Sequence, residues 1–428
     1  MIVRNSILLA FFSGLSLLLA VVRDRLLATH VGVGPVLDVY NAAFRLPDLL
    51  YGALLALVTA GTVVPFLTKE NTHGLILDPR QKLFSLALFF GGVLSILVGI
   101  FGLFLPLYAH LIVPGFDQAQ TEQFIFASRL LLIQPFFLGV SSLISCFAQL
   151  RNDFVLYGIA PLGYSLSIIM SILYLYPLYG LQGLLYGVLI GSVISFCIQA
   201  FSLRGAKITK IRYHFSYHHV KELIYLAFPR TGTNIITQLR TIFFTSLATM
   251  LGTGVLSSYL FAQRITDAVT QIVQQSLSTA SLPVLAKDFL EGRNKEYKAT
   301  VHKYILLIGL AGIVLSIIIF FFKESIIWLL YGATGFNDTI SYFLNVFLCI
   351  LPFTMMSGYI SMSLYAMKDT KSVFLSFFIG TAISVLAGLF YKDEGSIALV
   401  ISLVVWAATQ FLLLSLFYSR KKYVEILQ

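Results

Sequence analysis

The chain has 428 residues, of which 58% are hydrophobic and only 11% charged, with a formal net charge of +10. A soluble domain carries about 25% charged residues, so a water-soluble enzyme or binding module is excluded and a polytopic membrane protein is implied. The positive balance would suit a nucleic-acid partner, but the placement of the charges argues against one.

In chain order, Met1–Asn5 leads into a long apolar stretch without a small-residue cleavage site, so no cleavable signal peptide is expected. Twelve apolar segments follow, at 6–29, 37–67, 83–109, 122–149, 154–177, 181–203, 220–250, 255–285, 304–322, 337–366, 372–391 and 396–418. At ~1.5 Å rise per residue each can cross ~30 Å of hydrocarbon as a helix. "GVGPV" after the first segment and "YPLYG" at 176–180 read as turns. The basic run 204–221, "RGAKITKIRYHFSYHHVK", reads as a linker between an N-terminal six-helix lobe, 1–203, and a C-terminal one, 222–428. Its His214, His218 and His219 lack the acid or cysteine that would complete a metal site. Cys146, Cys197 and Cys349 each lie inside an apolar run and read as buried free thiols.

With an even number of crossings both termini share a side. Twenty basic residues fall on that side, and the opposite loops hold only Lys323 and Lys392. Positive charge collects in the cytoplasm, so both termini are expected there, and anionic lipid accounts for the basic loops without a nucleic acid.

The other seven basic residues, Arg23, Arg25, Arg45, Arg129, Arg230, Arg240 and Arg264, lie within segments, and all are arginine. The acids at the same depth are Asp24, Asp38, Asp48 and Asp267. Intramembrane charges are costly and mark substrate paths or buried pairs. Arg45–Asp48 and Arg264–Asp267 have the i,i+3 spacing of same-face helix pairs, but seven arginines against four acids leave positive charge for water or an anion to meet. The guanidinium fork matches carboxylate or phosphate. The candidate binding residues are therefore Arg23, Asp24, Arg25, Asp38, Arg45, Asp48, Arg230, Arg240, Arg264 and Asp267, with Arg129 set aside as one that snorkels to the interface.

The segment that opens span two is repeated. Residues 36–48, "VLDVYNAAFRLPD", match 255–267, "VLSSYLFAQRITD", with Val, Leu, Tyr, Ala, Arg and Asp coinciding. "LATHVGVG" (27–34) meets "LATMLGTG" (247–254), and "PFLTKE" (65–70) meets "PVLAKD" (283–288), at nearly the same offset. Both copies run inward, which describes a parallel repeat; transporters built this way bind substrate near mid-membrane between their halves. Prolines 47, 65, 135, 161, 229, 283 and 352 fall inside segments as kinks or hinges. No catalytic triad, zinc helix or phosphate loop is present, so neither an enzyme nor a cofactor is expected.

The stretch "VVRDRLLATHVGVGPVLDVYNAAFRLPDLL", continuing to "TVVPFLTKE", resembles the signature of the MurJ/MviN family, and "YLFAQRITDAVTQIVQQSLSTASLPVLAKDF" is similar to that family's eighth helix. The resemblance implies an all-α integral membrane fold of the MOP exporter superfamily, with twelve helices in two six-helix lobes around a cationic cavity. It implies a flippase that carries lipid II, a polyprenyl-pyrophosphate-linked disaccharide-peptide, across the bacterial cytoplasmic membrane for cell-wall synthesis. By motif, Arg23, Asp24, Asp38, Arg45 and Arg264 carry over as cavity residues. The sequence departs from the family at Leu17, Tyr51 and Ala56, where the family has arginine, arginine and glutamate, and it carries no counterpart of two further C-terminal helices. The alternatives are a flippase for another lipid-linked oligosaccharide, or a small-molecule exporter of the same superfamily, which for a cationic drug would want an acidic cavity. The partners implied are an anionic lipid-linked glycan, membrane lipids and cell-wall synthesis proteins, with the chain acting as a monomer.

Overall fold

The computed structural model describes residues 2–57, 79–150, 153–204 and 217–420. The described residues are predominantly helical and form no strand. In chain order the helices are α1 (Ile2–Leu26), α2 (Pro35–Ala43), α3 (Arg45–Leu57), α4 (Pro79–Ile112), α5 (Gln118–Leu131), α6 (Gln134–Leu150) and α7 (Phe154–Met170). They continue as α8 (Leu181–Ala200), α9 (Tyr217–Thr249), α10 (Val255–Leu290), α11 (Asn294–Tyr331), α12 (Asn337–Ala366), α13 (Thr370–Phe390) and α14 (Ser396–Arg420). Each apolar segment read from the sequence is thus occupied, over its described residues, by a helix or a pair of helices. Among the described residues, eight of these stretches are long and apolar enough to cross a membrane by composition alone. The helices of segments one, two, seven and eight fall outside that set, and those four carry most of the intramembrane charges.

Contacts divide the chain into two compact units, Met1–Gln238 and Leu239–Gln428, so the division falls inside α9. The linker expected over 204–221 lies largely outside the described residues, as do Pro65, "PFLTKE" and His214; residues 217–221 are the first turn of α9.

In the N-terminal unit α1 packs on α7, α2 on α5, α3 and α4 on α6, and α7 on α8. Small residues set these approaches, as they do where lipid removes the hydrophobic drive between helices. Gly183, Gly187 and Gly191 recur every fourth residue on α8, and a Cβ added at Gly187 would overlap the Ser171 side chain. Gly187→Ala is therefore expected to lower the thermal midpoint of the purified protein by an overpacking cost of ~1–3 kcal/mol. Gly99→Ala, where nothing lies within 4 Å, should leave the midpoint unchanged or raise it. In the C-terminal unit α12 is the hub, contacting α10, α11 and α14. Tyr331 stacks on Phe261 at 4.3 Å and donates to its carbonyl at 2.9 Å, while buried Tyr297 donates to the Ser363 carbonyl at 2.6 Å.

The surface is apolar where a soluble protein would be polar. On α4, Ile96, Ile100, Leu103, Leu107 and Leu111 form an exposed stripe at helical spacing. Of the three cysteines, all free, only Cys146 is buried; Cys197 and Cys349 lie on exposed helix faces, contrary to the expectation from their apolar surroundings. In a membrane protein an apolar run has an outward face as well as an inward one, and hydropathy does not separate them.

Prolines stand where two spans break. Pro47 has no N–H to offer the carbonyl of Ala43, and α2 ends at Ala43. Pro135 likewise cannot serve Leu131, where α5 ends. Pro161, Pro283 and Pro352 lie inside continuous helices. "GVGPV" is the expected turn, with Gly32 at φ +82° and Pro35 opening α2. "YPLYG" instead continues the helix through Tyr179 and reverses at Gly180, whose φ of +55° favours glycine.

Candidate functional site

In the N-terminal unit the charges gather where α1 gives way to α2. The "RDR" triplet ends α1, and a π-helical turn, Leu27–Val31, follows it, closed by Gly32 N–H donating to the Leu27 carbonyl at 3.1 Å. Arg23 donates from Nε at 3.1 Å and Nη2 at 3.0 Å to one Asp24 carboxylate oxygen. Tyr40 of α2 and Tyr164 of α7 are its next electrostatic neighbours. Tyr164 accepts from Gln134 Nε2 at 3.0 Å and lies within electrostatic range of Asp48. Asp48 has Arg45 as its charged partner, one turn away on α3. Tyr51, one turn further along α3, meets the Ser142 hydroxyl at 3.2 Å.

Asp38 is buried in the first turn of α2 beside Tyr40 and Asn41, where an acid complements the positive end of the helix dipole. Arg25 and Arg230 are exposed. Arg230 stands one turn before Asn234, whose Nδ2 donates to the Gly52 carbonyl of α3 at 3.3 Å. Arg129 is exposed, and its Nε donates to the Gly102 carbonyl on α4 at 2.8 Å, a tie between two helices.

The C-terminal unit holds a second polar cluster around a cavity of about 210 Å³ between α9, α10, α12 and α14. Arg240 and Asp267 both line it, with Tyr259, Gln263, Thr354 and Trp406 among the other walls. The Arg240 guanidinium lies 3.6 Å from the Trp406 ring centroid, a cation–π contact that holds a charge without a carboxylate. Arg264, half-buried, lies 5.5 Å from the Phe261 ring and acts with Arg240 on the Asp267 carboxylate.

The two halves of the sequence repeat occupy equivalent surroundings. Across 36–48 and 255–267, twelve of thirteen positions share the same degree of burial, and the last pair, Asp48 and Asp267, differs. Each copy starts a helix directly after a glycine, Gly34 or Gly254. The family model for the lipid II flippase MurJ matches residues 27–428, through both copies. The chain belongs to the MurJ family. A relative described as a probable lipid II flippase MurJ, from Rhizobium tropici, is 26% identical over 82% of this chain and 68% of its own. The fold is similar to that of a lipid II flippase MurJ in an inward closed conformation, with a TM-score of 0.80 at 21% identity over 97% of this chain and 88% of that one. It is also similar to an inward-facing multidrug resistance MATE transporter of the MOP superfamily, with a TM-score of 0.74 at 17% identity, covering 94% of each chain. The MurJ-family chain is thus an all-α, multi-pass membrane protein.

Sequence reasoning missed the uncharged members of both clusters, Tyr164, Gln134 and Trp406. Polar aromatics and amides inside apolar helices were the available signal, but only packing shows which of them reach an arginine.

Proposed function

We propose that this chain is a flippase that moves lipid II from the cytoplasmic to the outer leaflet of the bacterial cytoplasmic membrane, with both termini cytoplasmic. The match to the lipid II flippase family over 27–428 carries the reading. The chemistry agrees with it. A pyrophosphate leaving water needs fork-shaped cations, and half-buried guanidinium groups stand in both units: Arg23 and Arg45 in one, Arg264 in the other. Asp24, Asp38, Asp48 and Asp267 hold these in place and trim the surplus charge; Arg25 and Arg230 add to the positive field at exposed positions. The repeated halves are 1–203 and 222–428 joined by the basic linker 204–221, and they alternate access to the two leaflets. Membership of the MurJ family supports a transporter rather than a catalyst.

The test is reconstitution in vesicles that carry lipid II in the inner leaflet, with outer-leaflet lipid II read by a membrane-impermeant enzyme or antibiotic. Protein-dependent appearance of lipid II, and its co-purification seen by native mass spectrometry, are expected. Equal transport of a polyprenyl-linked glycan of different sugar composition would favour the broader oligosaccharide flippase. Transport of cationic dyes instead would sink the proposal.

A further inference from the structure

The lining of the C-terminal cavity carries one charge of each sign, with Arg264 acting on the acid from outside the lining. One guanidinium, Arg240, and one carboxylate, Asp267, line it. Among the described residues no ion pair joins the two. Arg240 rests on Trp406 instead, and its Nε and Nη1 are covered and have no hydrogen-bond partner. Arg240 is half-buried and Asp267 exposed; counted along α9 and α10 from the connection that joins them, they stand about 14 and 18 Å along the helices at ~1.5 Å per residue.

A bare anion placed here would meet Arg240 but also the Asp267 carboxylate, and a bare cation would meet the converse. In either case one charge of the lining faces its like. A ligand that carries one carboxylate and one ammonium satisfies both ends and leaves the sum of charges unchanged. The volume of about 210 Å³ admits a ligand of amino-acid size. Threonine hydroxyls and the rings of Tyr259 and Trp406 line the remainder.

We propose that this cavity binds a dipolar ligand of amino-acid size, its carboxylate on Arg240 and its ammonium on Asp267. Such a group comes either from a free amino acid or from the peptide end of the cargo; the second source rests on the flippase reading, the first does not. The chain has two tryptophans, Trp328 and Trp406, and Trp328 is 59% exposed on α11. Trp328→Phe therefore leaves Trp406 as the sole indole and as a reporter inside the site. The full chain with this change, in lipid nanodiscs, is titrated with alanine, acetate and ethylamine, and separately with lipid II and a peptide-free lipid-linked disaccharide. Alanine is expected to change Trp406 emission saturably, at a half-saturating concentration at least tenfold below that of acetate or ethylamine. Adding Asp267→Asn, nearly isosteric, should bring alanine and acetate within about twofold of each other. A response to alanine without one to lipid II assigns a free ligand and leaves the proposal standing even if the flippase reading fails. A response to lipid II that the peptide-free lipid does not give assigns the cargo peptide. Acetate or ethylamine saturating as low as alanine would overturn the proposal, as would equal responses to the two lipids with none to alanine, or no saturable response at all.

Discussion

Replacing Arg23, Arg45 and Arg264 together by lysine is expected to abolish transport while the protein still folds and reaches the membrane. Lysine keeps each positive charge but offers a compact ammonium in place of a planar fork. A hydrogen bond to a charged group contributes about 1.5–3 kcal/mol. Losing one second contact at each of three sites would weaken pyrophosphate binding on the order of a thousandfold, at 1.4 kcal/mol per tenfold. An arginine that only ties helices together behaves differently, because an ammonium still satisfies a carboxylate. The measurement is complementation of cells depleted of their own flippase, with membrane expression quantified and lipid II binding measured on purified protein. Full complementation by the triple variant would defeat the pyrophosphate clamp, and loss of expression would assign these arginines a structural role.

Asp24→Ala should be the most destabilising single change in the N-terminal cluster. Both Nε and Nη2 of Arg23 converge on one Asp24 oxygen, and the two side chains are only 23% and 11% exposed. Removing one partner of a buried pair costs ~3–5 kcal/mol, since the other charge stays behind; the partial exposure of Arg23 places this case at the lower end. A drop of several degrees in the thermal midpoint follows for a chain of this size. Asp24→Asn, which keeps an acceptor oxygen, should lose less. The double change Arg23→Met with Asp24→Leu, with no charge left to strand, should recover most of the stability but none of the transport. An unchanged midpoint for Asp24→Ala would mean that Arg23 finds its support elsewhere.

Much of the fold was legible because hydropathy reports lipid-facing length directly. α12 spans 337–366, as read, and α14 begins at Ser396, as read. The misses have physical causes. α11 runs from Asn294 to Tyr331, well beyond the apolar core read at 304–322, because a helix need not stop where its side chains become polar. The breaks after Ala43 and Leu131 are invisible to hydropathy, since each depends on a backbone N–H that proline lacks. The arginines announced themselves by their cost in hydrocarbon. Tyr164 and Gln134 did not, because neutral polar side chains are cheap enough to be common there, and only their 3.0 Å bond picks them out.

The matched burial of 36–48 and 255–267 gives the protein an internal control. Seven of the thirteen paired positions hold different residues, among them Asp38 and Ser257, Asn41 and Leu260, Phe44 and Gln263, and Pro47 and Thr266. Each pair has the same exposure, so each records two side chains that one kind of location has accepted. Exchanging partners between the copies is thus a ready-made mutational library in which the degree of burial is matched and the chemistry varies. Asn41→Leu and Phe44→Gln ask what polarity contributes at a fixed shape of site, and Thr266→Pro asks whether a break can be transplanted into the straight copy. The duplication has in effect run half of each experiment already, and the chain preserves the results side by side.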